Sequence, residues 1–165
     1  FYFSPFSSMK TLISPTRVLT LAFGDGEQLP AGSVTAADIA AAEERYLVPV
    51  VGRALHERLL AGLYPELTAD YLAAPLALFT RAAIQPRLDL RTGRCGSTVA
   101  APDGSEPADT PTRRRLVQSL RSEARTLLRR ASRHLRTENR RYPEYVATDD
   151  IISRCTTDGG LVQTL

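Results

Sequence analysis

Apolar residues recur every three or four positions along most of this chain, in stretches separated by short runs of glycine, proline and acidic residues. The clearest stretch is 35–60. Ile39, Ala42, Tyr46 and Val50 fall on one helical face, and Val51, Leu55 and Leu59 continue the repeat beyond Pro49. Thr35, with Asp38 three residues on, predicts an N-cap and a capping box with a short acid. Gly62 is the expected stop. Pro49 lacks a helix N–H and disfavours helical dihedrals at Val48, so a kink or helix–helix joint is expected there. Arg53 and Glu57 are spaced to pair at i,i+4.

The same periodicity predicts three more helices. One covers about 15–23, capped by Ser14 with Pro15 at its first position and stopped by Gly24, and docks through Val18, Leu21 and Ala22. A second covers 68–84, capped by Thr68 and bent at Pro75. Leu72, Leu76, Phe79 and their alanine neighbours leave it little polar face, so it should be the most buried. The last covers 111–138, with Thr110 as cap, Pro111 at its first position and a stripe through Leu120, Ala124, Leu127, Leu128, Ala131 and Leu135. Between these, 87–91 alternates polar and apolar and 95–100 can return as a partner, which predicts a small β-hairpin. Residues 101–111, APDGSEPADTP, read as an exposed loop. The expected fold class is mainly α: a kinked-helix bundle with one long basic C-terminal helix and a small β-hairpin insertion at about 87–110. Ile39, Tyr46, Val50, Leu55, Leu72, Leu76, Phe79, Leu120, Leu127 and Leu128 should be buried together.

Length and composition suit one helical domain at 9–146. Residues 1–8, before the only methionine, read as an upstream extension or a cloning remnant. Residues 147–165 are too few to fold alone and read as an interaction arm carrying Ile151, Ile152, Leu161 and Val162. No apolar run reaches the ~20 residues of a membrane helix, so no membrane partner is expected. Charge changes the picture more. The net +3 conceals a segregation: residues 111–141 hold 11 arginines against Glu123 and Glu138, whereas 1–110 and 142–165 each carry a net −3.

Candidate chemistry is sparse. His56 and His134 are the only histidines and both read as partly exposed helix positions. His56-Glu57-Arg58-Leu59-Leu60 has Leu60 where a zincin motif needs histidine. Glu43 and Glu44 are adjacent, so a helix points them apart, and Asp149 and Asp150 fall in a tail expected to be flexible. Cys95 and Cys155 make no metal spacing and read as free thiols. No enzyme activity, metal or cofactor is expected. The arginines Arg121, Arg125, Arg129, Arg133 and Arg136 have three readings: a solvated face whose stems cover apolar surface, an inter-subunit surface that meets the acidic residues of 1–110 on the next copy, and a sequence-independent contact to nucleic acid.

Ala42, Glu43, Tyr46, Pro49, Gly52, Leu55 and Leu59 are similar to the AE-x-x-Y-x-x-P-x-x-G segment of small phage- and prophage-encoded proteins of Bacteroidetes-type bacteria. The opening MKTLISPTRVLTLAF and the closing Tyr142-Pro143-Glu144 resemble the same group, which makes the likeness span about 9–146. The group is the head–tail connector, or adaptor, class of long-tailed phages. That resemblance implies a non-enzymatic virion protein that forms a homo-oligomeric ring between the portal and the tail-completion proteins. DNA would pass through the ring, and assembly would take place in the bacterial cytoplasm. Arg121, Arg125, Arg129, Arg133 and Arg136 are then candidate subunit or portal contacts, and the tail residues candidate assembly contacts. The alternative is a small helical nucleic-acid-binding protein that uses 111–141.

Overall fold

The structure is a computed structural model and describes residues 9–24, 29, 32–88, 90–93, 96–99 and 109–158. It is mainly helical. α1 (Pro15–Ala22) is followed by α2 (Ala36–Ala42), a π-helical turn (Glu43–Leu47) and α3 (Val48–Val51), which form one continuous rod. Next come α4 (Arg53–Leu60), the single turn α5 (Pro65–Leu67) and a second π-helical turn (Thr68–Leu72) that opens α6 (Ala73–Leu88). The long α7 (Thr110–Thr137) and the short α8 (Ile151–Asp158) complete the order. Between α6 and α7, β1 (Leu90–Gly93) and β2 (Gly96–Val99) pair antiparallel, Leu90 opposite Val99 and Gly93 opposite Gly96. This ladder adds no layer to the fold.

α6 is the centre. It packs against α7, α1 and α2, and Leu76, Phe79, Ala82 and Ile84 are buried along it together with Thr80. The Thr80 hydroxyl donates to the Leu76 carbonyl, which satisfies it inside the helix. Of the expected core, Ile39, Val50, Leu55, Leu72, Leu76, Phe79, Leu120 and Leu128 are buried, whereas Tyr46 and Leu127 are only half-buried at the edge. α1 docks on α6 through Val18 and Ala22. Arg81 of α6 reinforces it, donating to the Ala22 carbonyl and lying 4.4 Å over the Phe23 ring.

Neither Pro49 nor Pro75 interrupts its run of helical residues, and each follows a π-helical turn. A proline ring crowds the carbonyl four residues earlier. For Pro49 that carbonyl belongs to Arg45, and for Pro75 to Tyr71; each lies inside a π-helical turn. In those turns Val48 N–H bonds to the Glu43 carbonyl and Ala73 N–H to the Thr68 carbonyl, one residue further back than in an α-helix. The wider turn moves the crowded carbonyl aside, and the rod runs on through the proline. The actual joint is Gly52, at φ 83° and ψ 155°, a conformation open to glycine and strained for other residues. Gly62 ends α4 as expected, with Leu63 N–H bonded to the Arg58 carbonyl and Gly62 N–H to that of Leu59.

Other boundaries also differ. Ser14 and the Thr35–Asp38 capping box are in place. Thr68, however, lies within the π-helical turn, because the helix opens at Pro65 after Tyr64, which is held at φ 55°. Asp109, one residue before the expected Thr110, caps α7 by accepting from the Thr112 N–H, and hydrogen bonding from Thr112, through its side chain and then its N–H, lowers the Asp109 pKa. The strand expected from Arg87 begins at Leu90, since α6 continues past Pro86. Arg87 is held there by paired bonds of 3.0 and 2.8 Å to the Asp38 carboxylate and one of 2.9 Å to the Ser33 carbonyl. Arg53 pairs with Glu44, across the Gly52 joint, and not with Glu57. Residues 1–8, the expected loop at 101–108, the side chains of Cys95 and Cys155, and Leu161 and Val162 lie outside what is described.

Candidate functional site: an arginine-rimmed groove

Along α7 the buried seam is Leu120, Ala124, Leu128, Ala131 and Leu135. Arg125, Arg129, Arg133 and Arg136 stand one position after a seam residue or close to it. A helix turns 100° per residue, so they form a line along one flank of that seam. Facing this flank are Arg45, Tyr46, Pro49 and Val50 of the rod, Phe79 of α6, and Ile151 and Ile152 of α8. Between them lies an open groove of about 690 Å³. Its floor is apolar: Tyr46 stacks flat on Phe79 with centroids 4.1 Å apart, beside Pro49, Val50 and Leu128. Its rim is cationic, and the Arg45 guanidinium lies 5.3 Å over the Tyr46 ring.

Among the described residues no acidic side chain lines the groove, and none of its five arginines makes an ion pair. Arg125, Arg129, Arg133 and Arg136 are all exposed. An apolar floor beneath unneutralised cations combines a low-dielectric wall with a single sign of charge, which strengthens the potential felt by an approaching anion.

The open end of the groove is set by α8, and α8 is set by Asp150. Its side chain is fully buried. It accepts from the Ser132 hydroxyl of α7, from the Tyr145 hydroxyl at 2.7 Å, and from the N–H groups of Ile152 at 2.8 Å and Ser153 at 3.3 Å. The last two bonds are those of a helix N-cap. Burial, and then the bond to Asp150, push the Tyr145 hydroxyl far above the ordinary tyrosine range. The 149–150 pair was expected in a flexible tail; Asp150 instead pins the start of α8 to α7. Ile151 is left 49% exposed at the groove's edge.

A second buried acid lies away from the groove. Glu43 is 2% exposed and His56 6% exposed, and their Oε2 and Nε2 atoms are 2.9 Å apart. The other Glu43 oxygen accepts from the Leu12 N–H at 2.7 Å. His56 was expected to be partly exposed and is buried. Glu43 follows the buried Ile39 by four residues, so the spacing of α2 already sets its carboxylate on the buried face; the π-helical turn shifts the phase only of the residues after it. Both Glu43 oxygens are engaged inside the protein, which gives the pair the form of a structural clamp.

At the far end of α7, His134 stacks on Tyr71 at 4.1 Å and lies 3.2 Å from the Tyr142 hydroxyl. Tyr142 meets Tyr64 edge-on, and the Tyr64 hydroxyl donates to Glu144. Burial raises the pKa of both Tyr64 and Tyr142. This cluster seats the Tyr-Pro-Glu turn and holds Tyr64 in its left-handed conformation.

The sequence-predicted residues divide accordingly. Arg125, Arg129, Arg133, Arg136, Ile151 and Ile152 come together in the groove. Arg121 does not; it faces a smaller hollow with Pro86, Arg113 and Val117. The pattern missed Arg45 and the Tyr46–Phe79 floor, since only the packing of the rod on α6 and α7 brings them opposite the arginines. Among the described residues no group of three or more His, Cys, Asp or Glu side chains could hold a metal ion. No described helix is long and apolar enough to cross a membrane.

Residues 35–154 match a family of unknown function, DUF6712, and the chain belongs to that family. No curated protein and no solved structure matches it.

Proposed function

We propose that this protein is a structural assembly protein of a phage or prophage particle, a head–tail connector or adaptor. It forms a homo-oligomeric ring between the portal and the tail-completion proteins, and DNA passes through that ring. It assembles in the bacterial cytoplasm and resides at the head–tail junction of the virion. The likeness of residues 42–59 to the connector segment supplies the biological setting. The observation that carries the assembly role is the groove, where four of the five arginines singled out in the sequence meet Ile151 and Ile152. An exposed isoleucine beside arginines that make no ion pair among the described residues suits a protein–protein contact, with an apolar centre and a polar rim.

The same arginines support a second reading, sequence-independent binding to nucleic acid. The apolar floor favours the first, because a sugar–phosphate backbone gains nothing from Pro49, Val50 and Leu128. The test is to mix the purified chain with portal rings and measure mass by native mass spectrometry and particle images. The proposal expects a ring on the portal, slower to assemble in the Arg129→Glu, Arg133→Glu double variant, most markedly at low salt. A chain that ignores the portal and binds duplex DNA, with affinity falling steeply as salt rises, replaces this reading with the second.

A further inference from the structure

The groove has a regular charge repeat as well as a sign. Arg125, Arg129 and Arg133 are four residues apart and Arg136 is three further on, so successive guanidinium stems rise about 6, 6 and 4.5 Å along α7. A partner α-helix with carboxylates at i, i+4, i+8 and i+11 repeats at the same intervals. We propose that the groove is the docking site for one acidic amphipathic helix of a partner protein, laid alongside α7. Its acid row pairs with the arginine row, and one or two large apolar residues reach the Tyr46–Phe79 floor and the exposed Ile151.

Three features select this occupant. The charge is complementary, since five cations on the rim have no acid beside them among the described residues that line the groove. The floor is apolar and its volume, about 690 Å³, suits a few side chains from one edge of a helix and not a whole helix. The walls are helices, whose backbone groups are already paired. An extended segment would find no free ladder there and would leave its own N–H and C=O groups unsatisfied over the floor, whereas a helix brings its backbone bonds with it. This inference rests on the reading of the groove as an assembly surface, and it specifies the kind of partner that surface takes.

The experiment uses the full chain and a fluorescein-labelled, end-capped peptide of about 18 residues, long enough to cover the arginine row. It carries glutamate at i, i+4, i+8 and i+11 with leucines on the adjacent face. The controls are a scrambled peptide of identical composition and a labelled oligothymidylate of equal charge. Anisotropy titrations are expected to show the patterned peptide binding about 10-fold tighter than the scrambled one. Binding should weaken about 10-fold in the Arg129→Glu, Arg133→Glu variant, as for two ion pairs turned repulsive. Ile151→Ser, at an exposed position, should weaken it about threefold with an unchanged melting temperature. Equal binding of the scrambled peptide overturns the proposal in favour of unspecific charge. Tighter binding of oligothymidylate than of the patterned peptide overturns it in favour of nucleic acid. Self-association that the patterned peptide cannot displace overturns it in favour of a second copy. Peptide binding without portal assembly would remove the connector reading and leave the docking site; portal assembly unaffected by the arginine reversals would do the opposite.

Discussion

Glu43 and Asp150 are both buried carboxylates that tie a terminal segment to the helical body, yet they do different work. Glu43 sits where the rod, α4 and the segment before α1 converge, and its two oxygens reach the Leu12 N–H and His56. Asp150 sits at the rim, and its bonds hold one short helix to α7. Losing the first strikes packing shared by most of the fold. Losing the second frees an element with few other attachments, and that element lines the groove. Burial alone does not rank the two; what each one joins does.

Four measurements test that difference. The largest effect is expected at Glu43. Glu43→Ala leaves the Leu12 N–H and His56 without their partner and should cost about 2–4 kcal/mol in urea unfolding, the sum for two buried polar groups left unsatisfied. Glu43→Gln, which keeps an acceptor for Leu12, should cost less than half as much. A loss under about 1 kcal/mol for the alanine variant would show that the clamp adds nothing to the packing around it. Next, Asp150→Ala should cost about 1–3 kcal/mol, and locally. Amides of α8 should exchange faster while those of α6 keep their protection. Equal acceleration in α6 would make the two acids equivalent and end the contrast.

The third effect is smaller. Tyr145→Phe removes one bond to Asp150 and should cost about 1 kcal/mol near neutral pH. The Tyr145 pKa is raised by folding, so its contribution is fully present below the ordinary tyrosine value and is lost as pH rises beyond it. The wild-type melting temperature should therefore fall toward that of Tyr145→Phe on the alkaline side. A constant gap between them would mean that the hydroxyl does not titrate as its burial requires. The smallest effect is at Asp38. The Arg87 guanidinium is the main cause of its lowered pKa, so its stabilisation is present above the ordinary carboxylate range and is lost as pH falls through the lowered value. Arg87→Ala should differ from wild type by a few tenths of a kcal/mol to about 1 kcal/mol near neutrality and hardly at all in acid. A gap that widens in acid would contradict this pairing.

The local chemistry of helix ends was legible from the sequence, because it is written within four residues. Ser14, the Thr35–Asp38 box and the Gly62 stop are all where their spacing puts them. The α7 stripe was legible for the same reason, and with it the arginine flank. What needs a second element was not. Arg87 stays helical past Pro86 because Asp38, 49 residues earlier, holds it. His56 is buried because Glu43 faces it across the Gly52 joint. Tyr46 was read as core by its period, but the phase shift of the π-helical turn leaves it half-buried and part of the groove. Half of the candidate site, the arginines and isoleucines, could thus be read from periodicity and charge. The apolar floor could not, since its residues look like any buried face until the rod is laid beside α7.

The π-helical turn at Glu43–Leu47 gives the rod one residue more than a regular α-helix would use over that span. Deleting a single residue there would make the hydrogen bonding ideal and the protein wrong. Everything on one side would turn by about 100° relative to the other, so Glu43 and Tyr46 could no longer both keep their places. The carbonyl of residue 45 would also return to the path of the Pro49 ring. A change in chain length at this point is therefore a change in meaning: substitutions there alter one side chain, whereas a one-residue gap redirects a whole face. Relatives that keep the proline should keep the count of residues before it, even where the letters differ.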